Sequence, residues 1–300
     1  MINLSQTASN EKSLFLTPNM SYVNVVAMDQ CSVPFPKLGK YTIHNVISEL
    51  TGSGSAIYLA QGPDGQLYSL KKYPTNNPSV QREADTLKIL TFPPTPYIQD
   101  YKEFVADEDA VYLVSSLGTQ GNLVQKVQLY GYDGLPAELL KRYCYDIISS
   151  VLYCHERGFC HLDLKPDNFL VSGGGVALID FGLAQPLSVD IRTVTTGNVL
   201  FIPPELWSTT DNKASDRCRG DLCDSWAVGL IIHFCASGRL PIQTFSSTVY
   251  EALASSDYIE ISKSIPSDLR SLISKLLKTD PSHRWTLKQA IEHKYFKNLF

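Results

Sequence analysis

The sequence predicts an α+β chain in two lobes, β-rich at the N-terminal side and helical at the C-terminal side. Three observations predict it. Segments 41–46, 56–60, 66–73 and 111–114 have strand character, rich in β-branched and aromatic residues and bounded by turn residues. A glycine-bounded stretch, 118–121, then interrupts the pattern like a hinge. Beyond it helical periodicity dominates, beginning with a long amphipathic run over 136–157.

The elements follow in order. Residues 1–40 are rich in Ser, Thr and Asn, carry Pro18, Pro34 and Pro36, and show weak periodicity. They are expected to be an N-terminal extension, loosely packed or disordered. The turn Pro63-Asp64-Gly65 joins the second and third strands. A helix is expected over 79–90, with Val80, Ala84, Leu87 and Leu90 on one face, ended by Pro93-Pro94-Thr95-Pro96. The first lobe therefore spans about 41–116 and the second about 120–298, with the domain running 41–298. In the second lobe Leu139, Leu140, Tyr143, Ile147, Ile148, Val151 and Leu152 face inward from the long helix. Short strands over 169–171 and 176–179 flank the tight turn Ser172-Gly173-Gly174-Gly175. The very apolar run 223–235 predicts a buried helix, and further helices are expected over 268–277 and 287–293. There is no internal repeat.

Composition narrows the function. An apolar fraction of 44% builds a sizeable core in 300 residues, and 19% charged residues is ordinary. A net charge of −4 gives no footprint for nucleic acid or an anionic membrane. Seven cysteines, Cys31, Cys144, Cys154, Cys160, Cys218, Cys223 and Cys235, form no Cys-x-x-Cys pair. Several fall in apolar helical segments, so buried free thiols in a reducing compartment are expected rather than disulfides or zinc. No apolar run reaches the roughly 18 residues that span a bilayer. No secretory, myristoylation or prenylation pattern is present, so the expected location is the cytoplasm, with the nucleus as the other option.

The chemistry concentrates in His161-Leu162-Asp163-Leu164-Lys165-Pro166-Asp167-Asn168 and in Ile179-Asp180-Phe181-Gly182. An acid, a lysine two residues on and an asparagine five residues on share one loop, and a second acid arrives on the next hairpin. Any of these alone reads as a solvated loop residue. Together they supply a general base, a phosphate-binding cation and two oxygen ligands for Mg²⁺ around one point.

The run resembles the catalytic loop and DFG motif of the eukaryotic protein kinases, and the resemblance extends from about Tyr41 to Phe296. It implies the two-lobed protein kinase-like fold and phosphate transfer from ATP to protein hydroxyls with Mg²⁺. It also implies protein substrates and a monomer. Asp163 and Lys165 would be catalytic, and Asn168 and Asp180 would hold metal. Lys71, after Tyr68-Ser69-Leu70, resembles the lysine that pairs the α- and β-phosphates, with Ser69 in place of the usual alanine beside the adenine. Its neighbour Lys72 would point to the other face of the strand. Glu83 would pair with Lys71 from the helix, with Leu87 on the same face packing toward Phe181 and His161, and Asp85 is the rival acid.

The glycine-rich loop is degraded. Gly52 and Gly54 match two of its three glycines in one register, while Ile57-Tyr58-Leu59-Ala60 fits another, in which Gly52 is the second glycine. Gly52, Gly54, Ile57, Ser115 and Leu117 would line the nucleotide, with Ser115 in the gatekeeper position. The segment from Gly197-Asn198 to Pro204-Glu205 resembles the end of an activation segment. Asn198 stands where threonine is usual, and its amide is expected to link Asp163 and Lys165. Glu205 would pair with Arg284, and Asp224 would cap the catalytic loop.

Lys165-Pro166-Asp167 resembles the serine/threonine kinases. Leu162 precedes the catalytic acid where arginine is usual. The segment carrying Thr193, Thr195 and Thr196 is therefore expected to be ordered by packing on Leu162 rather than by a phosphate. The alternative is a pseudokinase, a binding module with weak or no transfer.

Overall fold

A computed structural model describes residues 36–297 and 299, apart from 51–54, 76, 78, 119, 174, 195–196, 207–217, 243–255 and 257–258. Gly52, Gly54, Cys31, Thr195, Thr196 and most of the expected extension lie outside the described residues.

The first lobe is an antiparallel sheet of six strands, β1 (Lys37–Leu38), β2 (Tyr41–Leu50), β3 (Ser55–Gln61), β4 (Leu67–Pro74), β5 (Tyr101–Ala106) and β6 (Ala110–Ser116), in the order β1-β2-β3-β4-β6-β5. Its one helix is α1 (Ser79–Leu90). Strand β1 falls inside the stretch expected as extension. Leu38 is buried, and Gly39 at φ +55° turns the chain back so that Leu38 pairs with Tyr41.

Strand alternation gives the sheet two faces. Ile57, Lys71 and Leu113 stand side by side across three strands, as do Leu59, Ser69 and Ser115. The opposite face carries Ala60, Leu70, Tyr112 and Val114, which close a small core with Leu38, Tyr41 and Ala110.

The connector after β6 is pinned to the second lobe. Val171 N–H donates to the Gly121 carbonyl at 2.9 Å, and Gln120 N–H donates to the Val171 carbonyl at 3.2 Å. The second lobe then runs α2 (Leu123–Gln128), α3 (Ala137–Glu156), β7 (Phe159–Cys160), β8 (Phe169–Ser172), β9 (Gly175–Leu178), β10 (Gln185–Pro186), α4 (Gly220–Ser237), α5 (Ser267–Leu276) and α6 (Leu287–Ile291). Helix α4 is apolar around its circumference and buried along nearly its whole length, which is what an all-round apolar helix requires. It ends at Gly238, φ +67°, whose N–H donates to the Phe234 carbonyl at 2.8 Å. A Cβ there would stand 2.2 Å from the Gly131 carbonyl oxygen, so only glycine fits. One core runs through both lobes, from Leu87, Leu90 and Leu113 through Phe181 to α3, α4 and α5.

Asp146 on α3 makes part of this packing pH-sensitive. Its carboxylate accepts Val176 N–H at 3.3 Å. Burial pushes it up to about 6, against the Arg142 guanidinium and that N–H. The folded state therefore holds a proton that the unfolded chain releases near pH 4. The associated stability is full at low pH and falls as pH rises through about 6. Asp146→Asn keeps the acceptor and removes the charge. After discounting for its partial exposure, the variant should gain on the order of 1 kcal/mol over wild type between about pH 5 and pH 7.5. Urea midpoints at both pH values measure it, and parallel profiles for the two proteins would contradict it.

Candidate active site

Six of the singled-out side chains meet in the cleft between the lobes. Lys71 reaches it because β4 places it on the face shared with Ile57 and Leu113. Its Nζ lies 2.5 Å from Asp180 Oδ1 and 3.8 Å from Glu83 Oε1. Lys72 points to the opposite face and sits over the Tyr112 ring, 5.9 Å from its centroid. Asp85 is exposed and pairs with Lys88 at 3.3 Å, so Glu83 is the acid that α1 delivers inward.

Glu83 is fully buried. One oxygen accepts Phe181 N–H at 3.1 Å and the other accepts the Tyr73 hydroxyl. Burial pushes Glu83 above the usual carboxylate range, and it pushes the Tyr73 hydroxyl up as well. For Asp180 burial works upward too, but the adjacent Lys71 ammonium outweighs it and holds the carboxyl below its usual range. Burial works to lower Lys71, and the Asp180 and Glu83 carboxylates together hold it raised and charged. Tyr73 was not among the expected residues. Its signal was present, since it lies two positions beyond Lys71 on the same strand face.

The loop bearing Asp163 is held by Asp224 from α4. Asp224 accepts His161 N–H at 2.8 Å, Leu162 N–H at 3.0 Å and His155 Nε2 at 2.9 Å. This over-determines Leu162, a non-glycine residue in the left-handed region at φ +64°. Asp180, at φ +66°, is the other such residue among those described. It is flanked by Ile179, whose carbonyl meets His161 Nε2 at 3.0 Å, and by Phe181, which packs edge-on against His161 with centroids 5.0 Å apart. Leu87 and Phe181 share the same core.

Asp163 is fixed from two sides. Lys165 Nζ donates to Oδ2 at 3.0 Å, Asn168 Nδ2 donates to the Asp163 carbonyl at 2.8 Å, and Asn198 N–H donates to Oδ1 at 3.1 Å. A Cβ on Gly197 would stand 1.8 Å from Oδ1, so the approach needs glycine. The expectation for Asn198 is corrected here. Its contact to Asp163 is made by the backbone, and its side-chain oxygen accepts Leu200 N–H at 3.0 Å, capping a turn of 3₁₀ helix. An amide competes well for such a local cap, which threonine fills less often than asparagine.

The remaining expected residues are placed as follows. Ser115 is buried on the cleft face, and the hydroxyl of Ser69 opposite it donates to the Ser115 carbonyl at 3.4 Å. Leu117 lies in the connector, partly exposed. Glu205 and Arg284 form a two-bond ion pair at 2.7 and 2.8 Å, far from the reacting groups in chain order and in role. Leu162 packs with Ile191, Cys160 and Cys223 in an apolar cluster. Arg192 is committed to Asp190, Nε to Oδ1 at 3.0 Å, and holds that carboxyl down at about 2.

Comparison with known proteins agrees with this geometry. The family described as "Protein kinase domain" matches residues 49–296, and the chain belongs to it. Serine/threonine-protein kinase ULK3 of Rattus norvegicus is 29% identical over 83% of this chain and 54% of its own length. CBL-interacting serine/threonine-protein kinase 18 of Arabidopsis thaliana is 28% identical, covering 88% of this chain and 50% of its own. CBL-interacting protein kinase 8 of Oryza sativa subsp. japonica is 28% identical, covering 88% and 59%. The chain thus spans between half and three fifths of these relatives. No helix among the described residues is long and apolar enough to cross a membrane.

Proposed function

We propose that the chain is a serine/threonine protein kinase that moves the γ-phosphate of ATP to protein hydroxyls, with Leu162 in place of the usual arginine. One observation carries the reading. Lys71 from β4, Glu83 from α1, Asp180 from the turn after β9, and Asp163, Lys165 and Asn168 from one loop form two bonded groups, Lys71 with Glu83 and Asp180, and Asp163 with Lys165 and Asn168. The groups are close enough that Lys71 feels the Asp163 charge and Asp180 that of Lys165. A binding module without turnover has no use for all six.

In this reading Asp163 accepts the proton of the substrate hydroxyl as its oxygen bonds to the γ-phosphorus. Three donors on its carboxylate, Asn198 N–H on Oδ1 and Lys165 Nζ and Asn168 Nδ2 on Oδ2, fix its plane. Lys165 lies against the same carboxylate, where its charge meets the transferring phosphate. Lys71, released in part from Asp180, pairs the α- and β-phosphates. Asn168 and Asp180 fit Mg²⁺. Both offer oxygen, the hard donor this ion favours, and the Asn168 nitrogen is already spent on the Asp163 carbonyl, which leaves its oxygen for the cation. The bound ion neutralises phosphate charge. Ile57, Ser115 and Leu117 would line the base; Gly52 and Gly54, which the sequence assigns to the phosphates, lie outside the described residues. The names of the relatives and the Lys165-Pro166-Asp167 pattern support serine and threonine as acceptors.

The test is a pair of lysine variants. Lys71→Met should remove most phosphate transfer, while Lys72→Met should leave it near wild type. Phosphoamino acid analysis of the labelled product should give phosphoserine or phosphothreonine. Loss of transfer in the Lys72 variant alone, or phosphotyrosine as the main product, would overturn the assignment.

Ser115 leads to a second expectation. A serine there leaves space behind the base, so the native protein should accept inhibitors with a bulky group aimed at that wall. Ser115→Met should fill the space and weaken such compounds by about ten- to a hundredfold, with little change for ATP. Equal inhibition of both proteins would count against it.

A further inference from the structure

Outside the cleft, two thiols lie together at the start of α4. Arg219 is the N-cap of that helix, so Cys218 and Cys223 occupy the positions that flank a helix start and commonly pack on each other. Their sulfurs and a Glu205 oxygen all lie within 4.8 Å of one another. Cys218 is half-buried and Cys223 is buried. We propose that Cys218 and Cys223 are a dithiol site that closes to an intramolecular disulfide by exchange with a small disulfide such as glutathione disulfide.

The two thiols differ in the way such an exchange needs. The adjacent Cys223 thiol holds Cys218 below the usual thiol range, favouring its thiolate, while Cys218, burial and the Glu205 carboxylate, which accepts the Cys223 thiol at 3.8 Å, push Cys223 well above it. Cys218 is also the more accessible. The Cys218 thiolate attacks one sulfur of glutathione disulfide, and one glutathione thiolate leaves. Cys223 then attacks the Cys218 sulfur, its proton passing to the departing thiolate, and the second glutathione is released. Two protein thiols are oxidised and one disulfide is reduced to two thiols.

The same trio does not favour a metal. Both Glu205 oxygens are committed to Arg284, at 2.7 and 2.8 Å. Cys160, in the same cluster, is fully buried and donates to the Gln185 carbonyl at 3.3 Å. Burial pushes its thiol far up, so it is a poor competitor.

Closure has a structural consequence. A disulfide needs its sulfurs about 2 Å apart, so Cys218 must move toward Cys223. Its backbone N–H donates to Asp190 Oδ1 at 3.3 Å and its carbonyl accepts Ile191 N–H at 3.4 Å. Both bonds are long and break first. Ile191 packs against Leu162, so oxidation loosens the segment beside the catalytic loop.

The experiment treats the reduced full chain with glutathione disulfide, caps remaining thiols by alkylation and maps peptides without reduction. A Cys218–Cys223 bridge is expected, reversed by dithiothreitol, with faster hydrogen exchange at the Ile191 amide. Cys223→Ser should instead retain glutathione on Cys218, and Cys160→Ser should still form the bridge. Free thiols at both positions, a stable glutathione adduct on wild-type Cys218, a bridge through Cys160, or zinc retained by the pair would each overturn the proposal. No readout depends on phosphate transfer, so an inactive protein leaves the test intact.

Discussion

Asp163→Asn is expected to lower phosphate transfer by about 10²–10⁴-fold, the range for loss of a positioned general base. Its thermal unfolding should stay close to wild type. The substitution keeps shape and size, and an amide oxygen can still accept Asn198 N–H where Oδ1 stands. The backbone carbonyl that receives Asn168 is untouched. What is lost is the basic oxygen that, in the proposed role, takes the hydroxyl proton, so ATP binding should persist while turnover does not. Asp180→Asn should abolish turnover as well, by a different route. It removes the nearest counter-charge of Lys71, at 2.5 Å, and one of the two proposed metal ligands. That variant should therefore lose Mg²⁺-dependent nucleotide affinity. Initial rates and nucleotide titrations on both variants separate the two roles. Turnover near wild type in either would remove the role given to that residue.

The largest effect on stability is expected at Arg284. Its side chain is fully buried. Besides the two bonds to Glu205, its guanidinium donates to the carbonyls of Leu222 at 3.0 Å, Lys278 at 2.9 Å and Thr279 at 3.2 Å, and it stacks 5.0 Å from the Trp226 ring. Arg284→Met strands one carboxylate and three carbonyls at once. Breaking a buried pair from one side costs about 3–5 kcal/mol, more than the pair itself contributes, because the remaining charge keeps its desolvation penalty. The double variant Arg284→Met with Glu205→Gln should recover part of that loss. Chemical denaturation of the single and double variants measures it. A single-variant loss within about 1 kcal/mol, or no recovery in the double, would show that the pair is solvated rather than buried.

Much of this arrangement was legible because strand and helix periods are strict. Lys71 and Lys72 are adjacent, yet alternation alone sends one into the cleft and the other onto Tyr112. Glu83 was separable from Asp85 because Leu87 lies four residues on from the first and not the second. Other features were less visible. Strand β5 is partly polar, and helix α2 has only six residues, too few to show a period. Its start did carry a local mark, since Asn122 and Gln125 form a capping box, with Gln125 N–H to Asn122 Oδ1 at 3.0 Å. The Asn198 side chain was illegible for a deeper reason. Two acceptors and donors compete for one amide, and only the local backbone geometry decides that it caps Leu200 instead of bridging Asp163 and Lys165. Tyr73 belongs to a third kind, readable from the alternation that gave Lys71 but carrying no charge to draw notice.

The central claim is that this constellation transfers phosphate and does not merely bind partners. The most direct measurement incubates the full chain with γ-labelled ATP, Mg²⁺ and a mixed protein substrate, beside the Asp163→Asn variant at matched nucleotide occupancy. Label is predicted on protein serine or threonine with wild type and at background with the variant. ATP bound equally by both proteins, with no label above background from either, would contradict the account and leave a folded kinase domain that acts by binding alone.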